Sequence, residues 1–317
     1  MTGSNNDSPL ALGTLHGFGD DPRSRTLRRR PTPALLDWAG DVLGGTVNAV
    51  RALRGGSSSA IHVLRIAGAA DPATAVLRSY VLADVVEEDP DIVGREAAVL
   101  GVLRRIRLPT PELLGADPHG ERTGVPALLM TRLPGRLEWS PSDLDPWLHE
   151  LAEVLPALHA TPLLAADGIQ PFRPYEPGSW APPAWMRDAR LWERAVDVFH
   201  RPPADPDRVL IHRDYHPGNV LWRRQRITAI VDWQAASEGP RTVDVFHCRL
   251  NLLDRFGLEV ADRFVGIWKA VSGSDYHPWA EVVMLVDALG SEPEGRTQQA
   301  ARDLETALAL RLAELGA

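Results

Sequence analysis

Residues 212–222 read HRDYHPGNVLW, and residues 227–233 read ITAIVDW. Between its apolar flanks the first stretch crowds together His212, Arg213, Asp214, His216 and Asn219. Polar side chains set this densely beside strand-like runs are costly to bury, and a ligand that needs them explains them better than packing does. Asp232 closes the second run. If the two runs form a hairpin, Asn219 and Asp232 come to the same end, beside Asp214. Three oxygen-bearing side chains then converge, a set that suits a hard cation such as Mg²⁺, which keeps some waters for a phosphate partner. Asp214 is left to act as base or orienting group for a hydroxyl.

Composition narrows the field. The 317 residues suffice for one large domain or two modest ones. With 34 Lys and Arg against 42 Asp and Glu the net charge is −8, which argues against a general nucleic-acid binder. No apolar run approaches the roughly 20 residues of a membrane-spanning helix, and the first residues lack the pattern of a secretory signal. A cytoplasmic protein with no membrane role and no obligate protein partner is expected. Cys248 is the sole cysteine, so an internal disulfide and a cysteine-based zinc site are excluded. Its setting, DVFHCRLNLL, has helical spacing and reads as core.

Along the chain, residues 1–31 read as a mobile polar tail, with the basic run RSRTLRRR solvated. Thr32 caps a helix that Pro33 begins and Gly44-Gly45 ends. Short β-branched runs at 46–53, 60–66 and 73–80, separated by turn residues, predict antiparallel hairpins. A helix over 91–106 and strands at 112–116 and 125–131 follow. Pro134-Gly135 marks a linker. Beyond it, helices are expected at 141–161, 184–201, 241–254, 258–271, 277–289 and 298–315, interrupted by a Pro-rich stretch and by strands at 209–211, 219–222 and 227–233.

The segment HRDYHPGNVLW…IVDW resembles the aminoglycoside phosphotransferase family, a small-molecule branch of the protein-kinase-like fold. Its H-x-D-x-x-x-x-N pattern parallels the kinase H-R-D-x-x-x-x-N loop. The resemblance implies an α+β, bilobal structure: a nucleotide-binding N-lobe over 32–131, with an antiparallel sheet and a helix, and a larger, mainly helical C-lobe over 132–317. It implies Asp214 as catalytic base, Asn219 and Asp232 as Mg²⁺ ligands, and His216 and Asp244 in packing and loop-holding roles. The turn holding Gly56, Ser57 and Ser58 would approach the phosphates of ATP or GTP. Arg78 takes the place of the usual strand lysine, as a fork rather than a point charge, with Glu96 as its partner. Backbone near Met130 would meet the adenine edge.

The implied activity is transfer of a γ-phosphate to a hydroxyl of an antibiotic or a metabolite, with antibiotic resistance one biological outcome. Two alternatives are a nucleotide-binding pseudoenzyme and a protein kinase. The second lacks D-F-G, A-P-E and room for an activation segment between Asp232 and Asp244. The stretch 160–207 holds seven acids against five Arg, so it does not select a polycationic acceptor. It also holds Trp180, Trp185 and Trp192. The latter two, seven apart on one helix face, suit burial, whereas Trp180 could line a pocket for a partly apolar or sugar-like acceptor.

Overall fold

Strand alternation sorts the N-terminal residues into two cores. The computed structural model describes residues 21–53, 56–68, 73–177, 179–203, 207–290 and 298–316. Helix α1 (Pro22–Leu27) and helix α2 (Pro33–Leu43) precede strands β1 (Thr46–Ala52), β2 (Ala60–Ala67) and β3 (Thr74–Ser79). Short α3 (Ala83–Glu88) leads into α4 (Ile92–Leu103), then β4 (Leu113–Asp117) and β5 (Ala127–Thr131). The five strands form one antiparallel sheet in the order β1-β2-β3-β5-β4. Successive side chains of a strand point to opposite faces. Ala75, Leu77, Ala127 and Leu129 therefore pack with Leu35, Trp38 and Ala39 of α2, while Tyr80, Leu128 and Met130 pack with Val93, Val99 and Leu100 of α4. Arg78, in step with Tyr80, projects to the α4 side.

The second core is helical. It gathers α5 (Leu144–His159), α6 (Ala189–Phe199), α7 (Thr242–Phe256), α8 (Leu258–Ser272), α9 (Trp279–Gly290) and α10 (Gln298–Glu314). Two small ribbons sit among them: β6 (Val209–Ile211) with β9 (Ser237–Gly239), and β7 (Val220–Arg223) with β8 (Arg226–Ile230). A mixed α+β fold with a sheet-bearing lobe and a helical lobe is thus observed, as the motif implied.

Three differences from the sequence reading have physical causes. Residues 1–20 of the expected tail lie outside the described residues, but 22–27 are helical: Asp21 caps the turn, Pro22 starts it and Leu27 is buried. Arg23 donates to the Ser57 carbonyl and pairs with Asp84, so part of the basic run is structural. Helix α3 and strand β9 carry no apolar periodicity and were not foreseen. The run 227–233 ends as a strand at Ile230, and Asp232 follows in the left-handed region at φ 71°.

Helix α7 is buried along almost its whole length. Arg249, fully buried, lies 2.5 Å from Glu281 of α9 and 2.8 Å from Asp262 of α8; Arg311 of α10 lies 3.0 Å from Glu281. A buried ion pair contributes little net stability when intact, yet removing one partner leaves a buried charge uncompensated. Arg249→Ala is therefore expected to destabilise the protein by about 3–5 kcal/mol, read as a lower urea midpoint; a midpoint equal to wild type would refute the account.

Candidate active site

The site forms where the loop between β6 and β7 meets the end of β8, below α4. Asp244, one turn into α7, fixes the loop. Its carboxylate accepts from the backbone N–H of His212 (3.0 Å) and Arg213 (2.6 Å) and lies 3.0 Å from His159 Nε2. The backbone of Arg213 is left-handed at φ 68°, a conformation that costs a non-glycine residue of order 1 kcal/mol and persists where surroundings over-determine it. The two Asp244 bonds and Arg213's own side chain supply that restraint. The guanidinium donates to the Arg173 carbonyl and stacks 3.9 Å from the Tyr175 ring.

His212 ties the loop to the neighbouring strand. Its Nε2 lies 2.9 Å from the Val231 carbonyl, its Nδ1 accepts from the Asp214 N–H, and its ring stacks on buried Trp233 at 4.3 Å. Trp233 thus packs against the 212–219 loop, and its Nε1 donates to the Ile230 carbonyl.

Asp214 then presents its carboxylate, about a third exposed (32 %). Asn219 Nδ2 donates to its Oδ2 and to its backbone carbonyl, both at 2.9 Å. His247 Nε2, from α7, lies 3.0 Å from Oδ1, at ion-pair distance but off the axis of a directed hydrogen bond. His216 Nε2 lies 3.6 Å from the same oxygen. Burial opposes the charge of Asp214, but the His247 contact and the fields of His216 and His212 outweigh it and hold the carboxyl well below the usual range. Burial pushes His216 down to about 4. Its Nδ1 accepts from the Gly218 N–H, and its ring stacks on His247 and meets Trp139 at a tilt, in keeping with the expected packing role.

Above the loop, Arg78 and Glu96 meet as expected. Glu96 occupies the middle of the apolar stripe of α4 and is 1 % exposed, which a solvated helix face would not show. One Arg78 nitrogen reaches both Glu96 oxygens at 2.7 and 2.8 Å, and the other reaches Asp232 Oδ1 at 2.7 Å. The fork thereby joins both lobes. Gln234 adds a second bridge, accepting from Tyr80 Oη at 3.1 Å and lying 3.4 Å from Ser58 Oγ. Gly56 adopts φ 92°, and a Cβ there would meet the Ser59 carbonyl at 3.2 Å. Arg54 and Gly55, the start of the same turn, lie outside the described residues.

The donors suit Mg²⁺. Asn219 spends its amide N–H groups on Asp214, which turns its Oδ1 the other way, and Asp232 supplies a carboxylate. Such an all-oxygen set fits a hard cation. The donors Asp214, His216 and His247 also approach within 4.8 Å of one another, but Gly218 N–H holds the Nδ1 lone pair of neutral His216 and so puts a proton on the Nε2 that a metal would need. Met130 lies inside β5, paired with Val76 on one side and Leu113 on the other. Trp180 rests on Phe199, the last residue of α6, and on His200 just beyond it. Trp192 is buried as expected, but α6 begins only at Ala189, so Trp185 lies in a turn before the helix and is half-buried.

Four residues escaped the sequence reading: His247, Tyr80, Gln234 and Arg23. His247 had a readable signal, since it stands three residues after Asp244 and so on the same helix face. The other three depend on long-range placement.

Comparison with known proteins gives the family and the fold. A family model described as the phosphotransferase enzyme family matches residues 49–282, well over half the chain. The chain therefore belongs to the aminoglycoside phosphotransferase (APH) family, and it is a phosphotransferase acting on hydroxyl groups. No curated protein matches by sequence. Among solved structures, a candidate aminoglycoside phosphotransferase from Ralstonia eutropha JMP134 is similar, with TM-score 0.61 and 16 % identity over 90 % of this chain and 98 % of that one. Aminoglycoside phosphotransferase APH(4)-Ia in complex with ADP and hygromycin B gives 0.57 and 19 % over 88 % and 98 %. Macrolide 2′-phosphotransferase MphH from Brachybacterium faecium gives 0.55 and 18 % over 87 % and 98 %. At such identities these likenesses concern the fold. Among the described residues, no helix is long and apolar enough to cross a membrane.

Asp287 of α9, half-buried near Arg213 and His247, has its carboxyl pushed by burial up to about 6. The folded chain thus keeps a proton that the unfolded chain releases near pH 4. Its ionisation costs stability progressively as pH rises from about 4 to about 6, and the cost is complete above that. Asp287→Asn should raise Tm relative to wild type at pH 8, with the difference vanishing below about pH 4. A pH-independent difference would contradict the assignment.

Proposed function

We propose that the chain transfers the γ-phosphate of ATP, or of GTP, to a hydroxyl of a small molecule, an antibiotic or a metabolite. The observation that carries this reading is the Asp214 carboxylate: restrained by Asn219, held ionised and about a third exposed (32 %), in the loop followed by Asp232, which joins Arg78 and Glu96. Phosphoryl transfer of this kind asks the protein mainly for positioning and charge stabilisation. Asp214 would orient the acceptor hydroxyl and take its proton late. Gly56, Ser57 and Ser58 would approach the phosphates, and Arg78, still steered by Glu96, would contact them. Asn219 and Asp232 would hold Mg²⁺, which when bound neutralises phosphate charge. Because Met130 is paired on both sides, the adenine edge would meet backbone just beyond it, at Arg132 and Leu133. A hydroxyl acceptor free in solution is the partner; neither nucleic acid nor a membrane enters the reaction.

The test is purified protein with Mg²⁺, ATP or GTP and a panel of antibiotics and hydroxyl metabolites, scored by mass spectrometry for phosphorylated product. Asp214→Asn keeps the shape but removes charge and basicity, so kcat is expected to fall ~10²–10⁴-fold while nucleotide affinity holds. Full turnover in that variant would refute the role.

Arg78→Lys tests the fork. A lysine cannot span both Glu96 and Asp232, and losing one charge-assisted bond predicts a fall of ~10–100-fold in kcat/KM for nucleotide. Unchanged kinetics in both Arg78→Lys and Arg78→Ala would remove Arg78 from the site.

A further inference from the structure

His247 lies outside the motif and beyond the kinase-like loop, on a helix most of whose residues serve the core. We infer that His247 is a positioning residue for the reaction, fixing the Asp214 carboxylate from α7; this rests on Asp214 being the base, as proposed above.

The ordinary alternative is a core histidine. Three observations separate the two. His247 is 8 % exposed, and neither ring nitrogen is taken up by a directed hydrogen bond among the described residues. Its Nε2 instead faces Asp214 Oδ1 at 3.0 Å. Second, its placement is held from both sides. Asn251 Nδ2 donates to the His247 backbone carbonyl at 2.9 Å, holding the helix there, and the His247 ring lies against that of His216, 5.6 Å between centroids and 25° from parallel. Third, its spacing is the helical repeat from Asp244. One turn of α7 thus addresses successive loop residues: Asp244 takes the N–H groups of His212 and Arg213, and His247 meets the side chain of Asp214.

The consequence lies in the carboxylate's orientation. Asn219 alone holds Oδ2 and leaves Oδ1 to swing or to gather water. With His247 Nε2 set 3.0 Å from Oδ1, the second oxygen too has a fixed neighbour, while a lone pair stays free for the acceptor hydroxyl. His216 cannot substitute, because it sits farther away and its Nδ1 is engaged by Gly218. A group that acts through Asp214 changes turnover rather than nucleotide binding.

The test compares His247→Phe, which keeps a flat ring without a donor, with His247→Gln, which keeps a donor. His247→Phe is expected to lower kcat ~10–100-fold with nucleotide KM and Tm near wild type, and His247→Gln to recover most of the loss. In an Asp214→Asn background His247→Phe should add little further loss, because its route to the reaction is already removed. Equal losses in Phe and Gln variants accompanied by a lowered Tm, full additivity with Asp214→Asn, or an unaltered kcat in His247→Phe would each overturn the inference. Wild type stripped by chelator should regain full activity with Mg²⁺ alone. A requirement for Zn²⁺ would make the cluster a metal seat instead and overturn positioning. Asp214→Asn with full turnover refutes the reading of the base itself; loss there with none in His247→Phe refutes only the role of His247.

Discussion

The Arg78 side chain, buried between sheet and helix, is the contact through which the two halves of this molecule agree on a geometry. One end of its fork is spent on Glu96, which sets the rotation of α4 against the sheet. The other reaches Asp232 across the cleft. Burying three charged groups together is worthwhile only when they satisfy one another, so each constrains the others to within hydrogen-bond reach. A point charge on a flexible stem could serve one carboxylate well; a planar fork serves two at once. Tyr80 and Gln234 reinforce the same line, with Tyr80 kept protonated by burial and able to donate.

The lower half of the site is built by a different means. There the backbone is forced into place and the side chains follow. Arg213 and Asp232 both adopt left-handed conformations without being glycine; the first adjoins Asp214, and the second is itself a proposed metal ligand. Asp244, His212 and Trp233 supply the restraint: a carboxylate under the loop, an imidazole across it, and an indole packed against that imidazole. The arrangement follows the general pattern in which strain collects where geometry has to be held.

Much of this was legible in the sequence because it is local. The loop 212–219 and Asp232 carry their chemistry in residue type and spacing, and the sheet announced itself through β-branched runs broken by turns. Arg78 and Glu96 could be paired because one stands on a strand of recognisable register and the other alone among apolar helix positions. What escaped was either locally featureless or long-range. Helix α1 hid inside a basic run, since its anchor is a single buried Leu27 and its arginine finds Asp84 and Ser57 only in the fold. Strand β9 is three residues of Ser, Glu and Gly, made a strand by its partner β6. His247 was passed over because a lone histidine in an apolar helix reads as core until the loop packed against that helix is known.

The buried arginine of α7 bears on where the folding unit ends. The segment matched by the family stops at residue 282, yet Glu281, at its very edge, is shared between Arg249 and Arg311 of α10. Leu304, Ala307, Leu308 and Leu312 lie almost wholly inside the protein. At the other end, Leu35 and Trp38 of α2 cover one face of the sheet before the matched segment begins. Trimming the chain to the matched segment would strip an apolar lid from each lobe and withdraw a cation from a buried carboxylate. The helix presenting Asp244 to the 212–219 loop would lose its footing on the far side, so the flanks belong to the enzyme's working architecture as fully as the motif does.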